Sequence, residues 1–174
     1  MLFRSSQVHG AQRHLTDLIA LYGRTGIVAQ RFGNWEPLLC VHGILKCGKP
    51  SYPNSKNPQE LEAGYCLVSA FKDEDFANLC KMINRPDLAK KYPTHADRVA
   101  ADAQSAIYPE LEKWSADKTK EQVWEECKKN GIVSQPVWNS KEVSAQEHYH
   151  LRGSLAWIDD PTFGDVQKIG RAHV

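Results

Sequence analysis

The sequence predicts an α+β fold: a small β-sheet packed with helices and preceded by an amphipathic helix. Two short apolar runs, Leu38–Cys47 and Tyr65–Phe71, flank a polar loop and read as a hairpin. Helix-period apolar faces then dominate to about Asn130. Strand-like runs return only late, at Ile132–Trp138, Leu155–Ile158 and Val166–Ile169.

Val8, Ala11, Leu15, Leu18, Ile19 and Tyr22 recur at the spacing of one helical face, and Gly23 is the expected stop. Gly26 to Pro37 reads as an extended connector with a turn at Gly33-Asn34, and Gly48 to Gly64, with Pro50, Pro53 and Pro58, as a surface loop. Asp73, Glu74 and Asp75 suit the positive end of a helix that carries Phe76, Leu79, Cys80 and Ile83. Thr94 to Asp97 resembles a helix start, and Val99, Ala103, Ile107, Leu111 and Trp114 continue its face, with a kink or restart expected at Pro109. Thr119-Lys120-Glu121-Gln122 is a capping box, and Asn130-Gly131 closes the helix it opens. Pro136 marks the next run as an edge strand. A polar helical stretch from Ser140 to about Gly153 precedes two short strands joined through Asp159-Asp160-Pro161. The expected division is an N-terminal helix and connector over 1–37, a folded region over 38–170 and a tail over 171–174.

Composition narrows the function. A chain of 174 residues with 41% hydrophobic and 25% charged residues can bury a core as one domain. A net charge of +1 argues against nucleic acid and anionic membrane as partners. With no signal-like or membrane-length apolar run, a cytoplasmic location is expected. The five cysteines are odd in number and form no CxxC pair, which disfavours a disulfide framework and a zinc knuckle. Cys66, Cys80 and Cys127 fall on apolar faces and read as buried free thiols.

Several pieces, taken in order, resemble the family III CoA-transferases, the group that includes formyl-CoA and carnitine CoA-transferases. They are Arg31-Phe32-Gly33-Asn34-Trp35-Glu36-Pro37, His42-Gly43-Ile44-Leu45-Lys46-Cys47 and the strand and helix of Tyr65–Asn84. Arg85-Pro86-Asp87-Leu88-Ala89 stands in the place of a recurrent G-R-P-E-L run, and Gly131 to Val137 matches a G-I/V-P-x-x-P-V return. Leu151-Arg152-Gly153 and Asp160 to Gly164 resemble an R-x-R-G…H-P-x-x-G tail. The match is to the family's smaller domain and the segment that follows it.

The resemblance implies transfer of CoA between an acyl-CoA and a carboxylic acid. In that family an aspartate of a larger, Rossmann-like domain attacks the thioester and passes through a mixed anhydride. By that comparison the nucleophile is expected upstream of Met1, so no catalytic residue is assigned and the chain alone is expected to be an inactive, truncated form. The alternative is a stand-alone acyl-CoA-binding or protein-interaction module without turnover. No cofactor is expected beyond coenzyme A as substrate. The partners expected are an acyl-CoA and either a second copy of the chain or a separate Rossmann-type catalytic subunit.

The candidate substrate-binding residues are Gly33, Asn34, Trp35, His42 and Gly43, because this region lies over the active site in relatives. Some relatives carry a glycine-rich lid there, whereas Leu38, Leu39, Cys40 and Val41 occupy its place in this chain. Other candidates are weaker. Asp159-Asp160 precedes a proline and reads as a solvated turn. His148 and His150 point roughly opposite ways on a helix, and Cys40 and His42 lack further ligands, so no metal site is expected. Gly23 to Gly26 lacks the features of a phosphate loop.

Overall fold

A three-stranded antiparallel sheet, covered by helices on one face, frames the larger part of the molecule. The computed structural model describes residues 15–30, 33–36 and 38–169. The chain divides into two compact units, Met1–Asn34 and Trp35–Val174, and each is described by itself.

In the first unit, α1 spans Thr16–Thr25. Gly23 does not stop it. Gly26 does, at φ 72° with its N–H donating to the Tyr22 carbonyl, while Thr25 Oγ1 donates to Leu21 O. A glycine inside a helix costs propensity but keeps its hydrogen bonds, so the left-handed cap falls to the next available glycine. Val8 and Ala11 lie outside the described residues.

In the second unit, β1 (His42–Lys46) pairs with β2 (Tyr65–Ser69), and β2 pairs with the edge strand β3 (Val133–Pro136). The expected hairpin is present, but β1 is shorter than the apolar run, because Leu38 to Val41 form a turn. Alternation along the strands sends Leu45, Cys47, Cys66 and Val68 inward with no exposure. His42, Ile44, Tyr65, Leu67 and Ser69 take the opposite face, on which Ile44 and Tyr65 are each 39% exposed.

Helices fill the inner face. They are α2 (Asp73–Met82), α3 (Pro86–Lys91), α4 (His95–Arg98), α5 (Ala101–Ser115) and α6 (Lys120–Lys129). Phe76, Leu79, Ile107, Leu111, Val123 and Cys127 meet the sheet in one buried cluster. All five cysteines are buried and unpaired. Thr94 and Asp97 complete a reciprocal cap, as do Thr119 and Gln122. The long face expected from Thr94 onward is broken at Val99-Ala100, not at Pro109, which sits exposed within an unbroken α5. It lacks the donor that would meet the Ser105 carbonyl, yet the helix continues through it. Trp114 is half-buried at the core's edge, less central than its spacing suggests.

Gly48 holds the end of the hairpin against α5. A Cβ there would lie 1.7 Å from the Ala116 carbonyl oxygen. The close approach lets Gly48 N–H donate to Ser115 O (3.0 Å) and Ser115 Oγ donate to Lys46 O (2.8 Å).

The polar stretch after β3 is two helices, α7 (Ser140–Ser144) and α8 (Glu147–Leu151). Beneath α7 the Lys120 ammonium donates to Glu142 Oε2 (2.5 Å) and to Val137 O (3.0 Å), with both charged side chains 6% exposed. The last hairpin joins β4 (Leu155–Asp160) to β5 (Gly164–Ile169). Its strands reach further than expected, so Asp159 and Asp160 lie in β4 and the turn is Pro161 to Phe163. Asp160 Oδ1 accepts from the N–H groups of Thr162 and Phe163. A turn role is therefore sufficient for that carboxylate.

Candidate substrate-binding site

Trp35 and Gly43 form an isolated antiparallel bridge, and Glu36 N–H donates to His42 O at 2.9 Å. These contacts close the turn of residues 38–41 at the start of β1. Leu39 N–H donates to Glu36 O, and Leu38 N–H to Glu36 Oε1. The loop's base is apolar: Trp35 stacks on Tyr108 of α5, with ring centroids 4.1 Å apart and planes 15° apart. Such stacking is worth about 0.5–1.5 kcal/mol beyond burial.

The loop is pinned from beneath by a buried cation. Arg98 at the end of α4 has no exposed surface. Its Nε donates to Cys40 O (3.2 Å), Nη2 to Phe71 O (2.6 Å) and Asp73 Oδ1 (2.8 Å), and Nη1 to Tyr92 O and Pro93 O. Its plane also lies over Phe76, 4.5 Å from the ring centroid. Ala70 N–H holds the Val41 carbonyl at 2.8 Å. The backbone at Cys40-Val41 is thus set by two partners, Arg98 and Ala70.

Burial pushes the Cys40 thiol up, against the lowering effects of the Tyr108 hydroxyl and Arg98. Burial pushes the Tyr108 phenol up as well, and contact with the Cys40 side chain adds to it. Both groups are neutral in the fold at physiological pH, which disqualifies them as nucleophile and base. The phenol hydroxyl is buried beside the Cys40 thiol and the His42 backbone, without a hydrogen bond of full geometry.

His42 is half-buried, and its Nδ1 lies 2.9 Å from Ser69 Oγ on the opposing strand. Ser69 is 7% exposed.

Of the residues singled out in the sequence, the structure brings together Trp35, His42 and Gly43. Gly33 (φ 69°) and Asn34 form the expected turn, within the first unit. Arg98 and Ser69 were not legible as parts of the site. The usable signal was period-two pairing: once β1 and β2 are placed as a hairpin, His42 and Ser69 become cross-strand neighbours.

The other candidates separate. His150 Nε2 lies 2.7 Å from Ser144 O, and His148 packs edge-on against Tyr149. No group of three metal-ligating side chains occurs among the described residues, nor any helix long and apolar enough to cross a membrane. A recess of about 430 Å³ lined by Gln135, Trp138, Gln146, His148 and Tyr149 contains none of the predicted site residues.

The family model for CoA-transferase family III matches residues 4–173. The chain is 28% identical over 115 residues to succinyl-CoA:mesaconate CoA-transferase of Haloarcula marismortui, covering 66% of this chain and 28% of that protein. It is 22% identical over 155 residues to succinyl-CoA–D-citramalate CoA-transferase of Chloroflexus aurantiacus, covering 88% of this chain and 35% of the relative. In structure it resembles a CaiB/BaiF family protein from Brucella suis, with a TM-score of 0.61, 21% identity, and coverage of 90% of this chain and 40% of that one. The chain therefore spans well under half the length of these relatives. With a match over nearly its whole length, it belongs to CoA-transferase family III.

Proposed function

We propose that this chain supplies the acyl-binding side of a CoA-transfer site, with short dicarboxylic acyl groups as its substrates. The bridge between Trp35 and Gly43 carries the reading: it presents the His42 edge of β1 at the mouth of a loop whose backbone Arg98 holds rigid. A rigid backbone beside a reacting thioester positions it without further ordering cost. Gly33 and Asn34 belong to the proposal on their adjacency in sequence. The class of acid follows the relatives named above, both of which pair succinyl-CoA with a dicarboxylic acid.

The chemistry proposed is that of the family. A carboxylate attacks the thioester carbonyl and the C–S bond breaks, leaving a mixed anhydride and a CoA thiolate. The thiolate then attacks the enzyme acyl carbon, releasing the first acid, and the acceptor acid repeats the exchange in reverse. The carboxylates in this site's own network are unsuited to that role. Glu36 is held by Leu38 N–H, and Asp73 is held by Arg98. As the resemblance to the family implies, the nucleophile is assigned to a larger domain or separate subunit that packs on this one, with acyl-CoA held between them. A cytoplasmic setting, where acyl-CoA is supplied, fits this reading.

The test is acyl exchange between succinyl-CoA and an isotopically labelled dicarboxylic acid. The 174-residue chain alone is expected to bind succinyl-CoA and to catalyse no exchange. Exchange by the chain alone, abolished by a single change such as Asp160→Asn, contradicts the assignment.

A further inference from the structure

We infer that the recess between β3 and α8 is a binding site for an adenine base. It shares no residue with the acyl-binding side proposed above, and the inference stands apart from that proposal.

The recess encloses about 430 Å³, within the range of pockets that take small molecules, about 300–1,000 Å³. Gln135 of β3 and Trp138 just beyond it line one part, and Gln146, His148 and Tyr149, at the start of α8, line the rest. β3 is the sheet edge away from β1. The lining suits a neutral ring. Three of its five residues are aromatic, and none is Lys, Arg, Asp or Glu. His148 and Tyr149 meet edge-on, with ring centroids 5.8 Å apart and planes at 64°. Trp138 is half-buried, yet among the described residues it packs neither against the core cluster nor on another aromatic ring. An indole without a ring partner offers a stacking surface, and stacking on aromatic side chains is the general means by which proteins hold a single base.

The two amides choose the base. Neither Gln135 nor Gln146 makes a side-chain hydrogen bond among the described residues. Gln146 even holds the capping position of α8 without using its side chain as the cap. A glutamine amide carries an acceptor and donors side by side. Adenine matches that pattern along one edge, where N7 accepts and the N6 amino group donates. Guanine presents two acceptors there, N7 and O6, and is met by Arg or Lys, neither of which lines the recess. The adenine could belong to a free nucleoside or to the far end of a CoA ester, and the chemistry of the recess is the same for both.

The experiment is calorimetric titration of the 174-residue chain with adenosine and with guanosine. Wild type is expected to bind adenosine saturably and about tenfold more tightly than guanosine, the discrimination of one bidentate amide–base pair. Trp138→Ala should abolish binding of both nucleosides. Replacing Gln135 and Gln146 together by Leu should bring the two nucleosides to equal affinity. Should Trp138→Ala fail to fold, the indole N–H resonances serve instead: adenosine should shift the one resonance that is missing from Trp138→Phe. Repeating the adenosine titration with succinyl-CoA at saturation separates the two sources. Unchanged adenosine affinity assigns the base to a free nucleoside. Competition, together with weaker succinyl-CoA binding by the double glutamine variant, assigns it to the CoA ester. Absence of saturable adenosine binding, equal affinity of wild type for the two nucleosides, or adenosine binding that survives Trp138→Ala overturns the inference. So does a Trp138 resonance that adenosine leaves unmoved, or competition by succinyl-CoA whose own affinity the double glutamine variant leaves unchanged.

Discussion

Arg98 Nε reaches the carbonyl of Cys40 at 3.2 Å, across 58 residues of chain, and so ties the end of a four-residue helix to the loop that precedes β1. The same guanidinium satisfies Phe71 O, Tyr92 O and Pro93 O. Substituting Arg98 by Met keeps much of the volume but strands these carbonyls in the interior. Each buried unsatisfied group costs about 1–3 kcal/mol. Arg98→Met should lower stability to urea by about 3 kcal/mol or more, whereas Asp73→Asn, at a side chain 59% exposed, should cost much less. Equal effects would show that the ion pair, not the carbonyl network, is the point of the arginine.

The Lys120–Glu142 pair gives a sharper test of burial. Removing one member of a buried pair leaves a charge without its partner and costs about 3–5 kcal/mol. Lys120→Met should therefore destabilise strongly. Adding Glu142→Gln, which retains an acceptor for the Asn139 N–H in the α7 cap, should recover a substantial part of the loss. A double-mutant cycle by chemical denaturation reads this directly, and additive losses would mean that the two charges do not interact.

Gly48 should tolerate no side chain. Gly48→Ala places a Cβ on the Ala116 carbonyl, which is backbone and cannot rotate away. Overpacking of this kind costs about 1–3 kcal/mol. Calorimetry should show a clear fall in melting temperature, and no change would mean that the hairpin and α5 do not meet as described.

The buried thiols predict an alkaline limit. Burial pushes Cys47 and Cys127 up to about 11, and Cys66 and Cys80 up to about 12. In the unfolded chain a thiol ionises near 8.5. The folded state therefore holds more protons than the unfolded one in the window between, and stability falls as pH rises through it. The contribution is fully present below about pH 8. The melting temperature should decline from about pH 9 upward, and replacing Cys66 by Ala should flatten that decline. Reductant and chelator should leave it unmoved. Rapid native-state labelling of the five thiols at pH 8 would contradict their burial.

Much of the fold could be read in advance because its signals are local. The Thr119–Gln122 cap, the acidic start of α2 and the apolar runs of β1 and β2 depend on neighbours a few residues away. The misreadings share one cause, which is that spacing does not show what surrounds a residue. Pro109 lies on the exposed side of a helix that runs through it without a restart. Gly23 ends a helix only where it takes the left-handed cap, which Gly26 supplies. Arg98 looks like any surface cation of a short helix until Cys40 and Phe71 are placed beside it. The candidate site was legible in the same uneven way. Trp35, His42 and Gly43 could be named from order along the chain, but Ser69 needed the register.

The most direct test of the central claim is the binding of succinyl-CoA to the 174-residue chain, followed by its thermal unfolding with and without ligand. A ligand held by the native state must raise the melting temperature with concentration. The account predicts a saturable rise that is weakened by Trp35→Ala and absent with succinate alone. No rise at any succinyl-CoA concentration, or one unaffected by Trp35→Ala, would contradict the placement of the acyl group at the Trp35–Gly43 bridge.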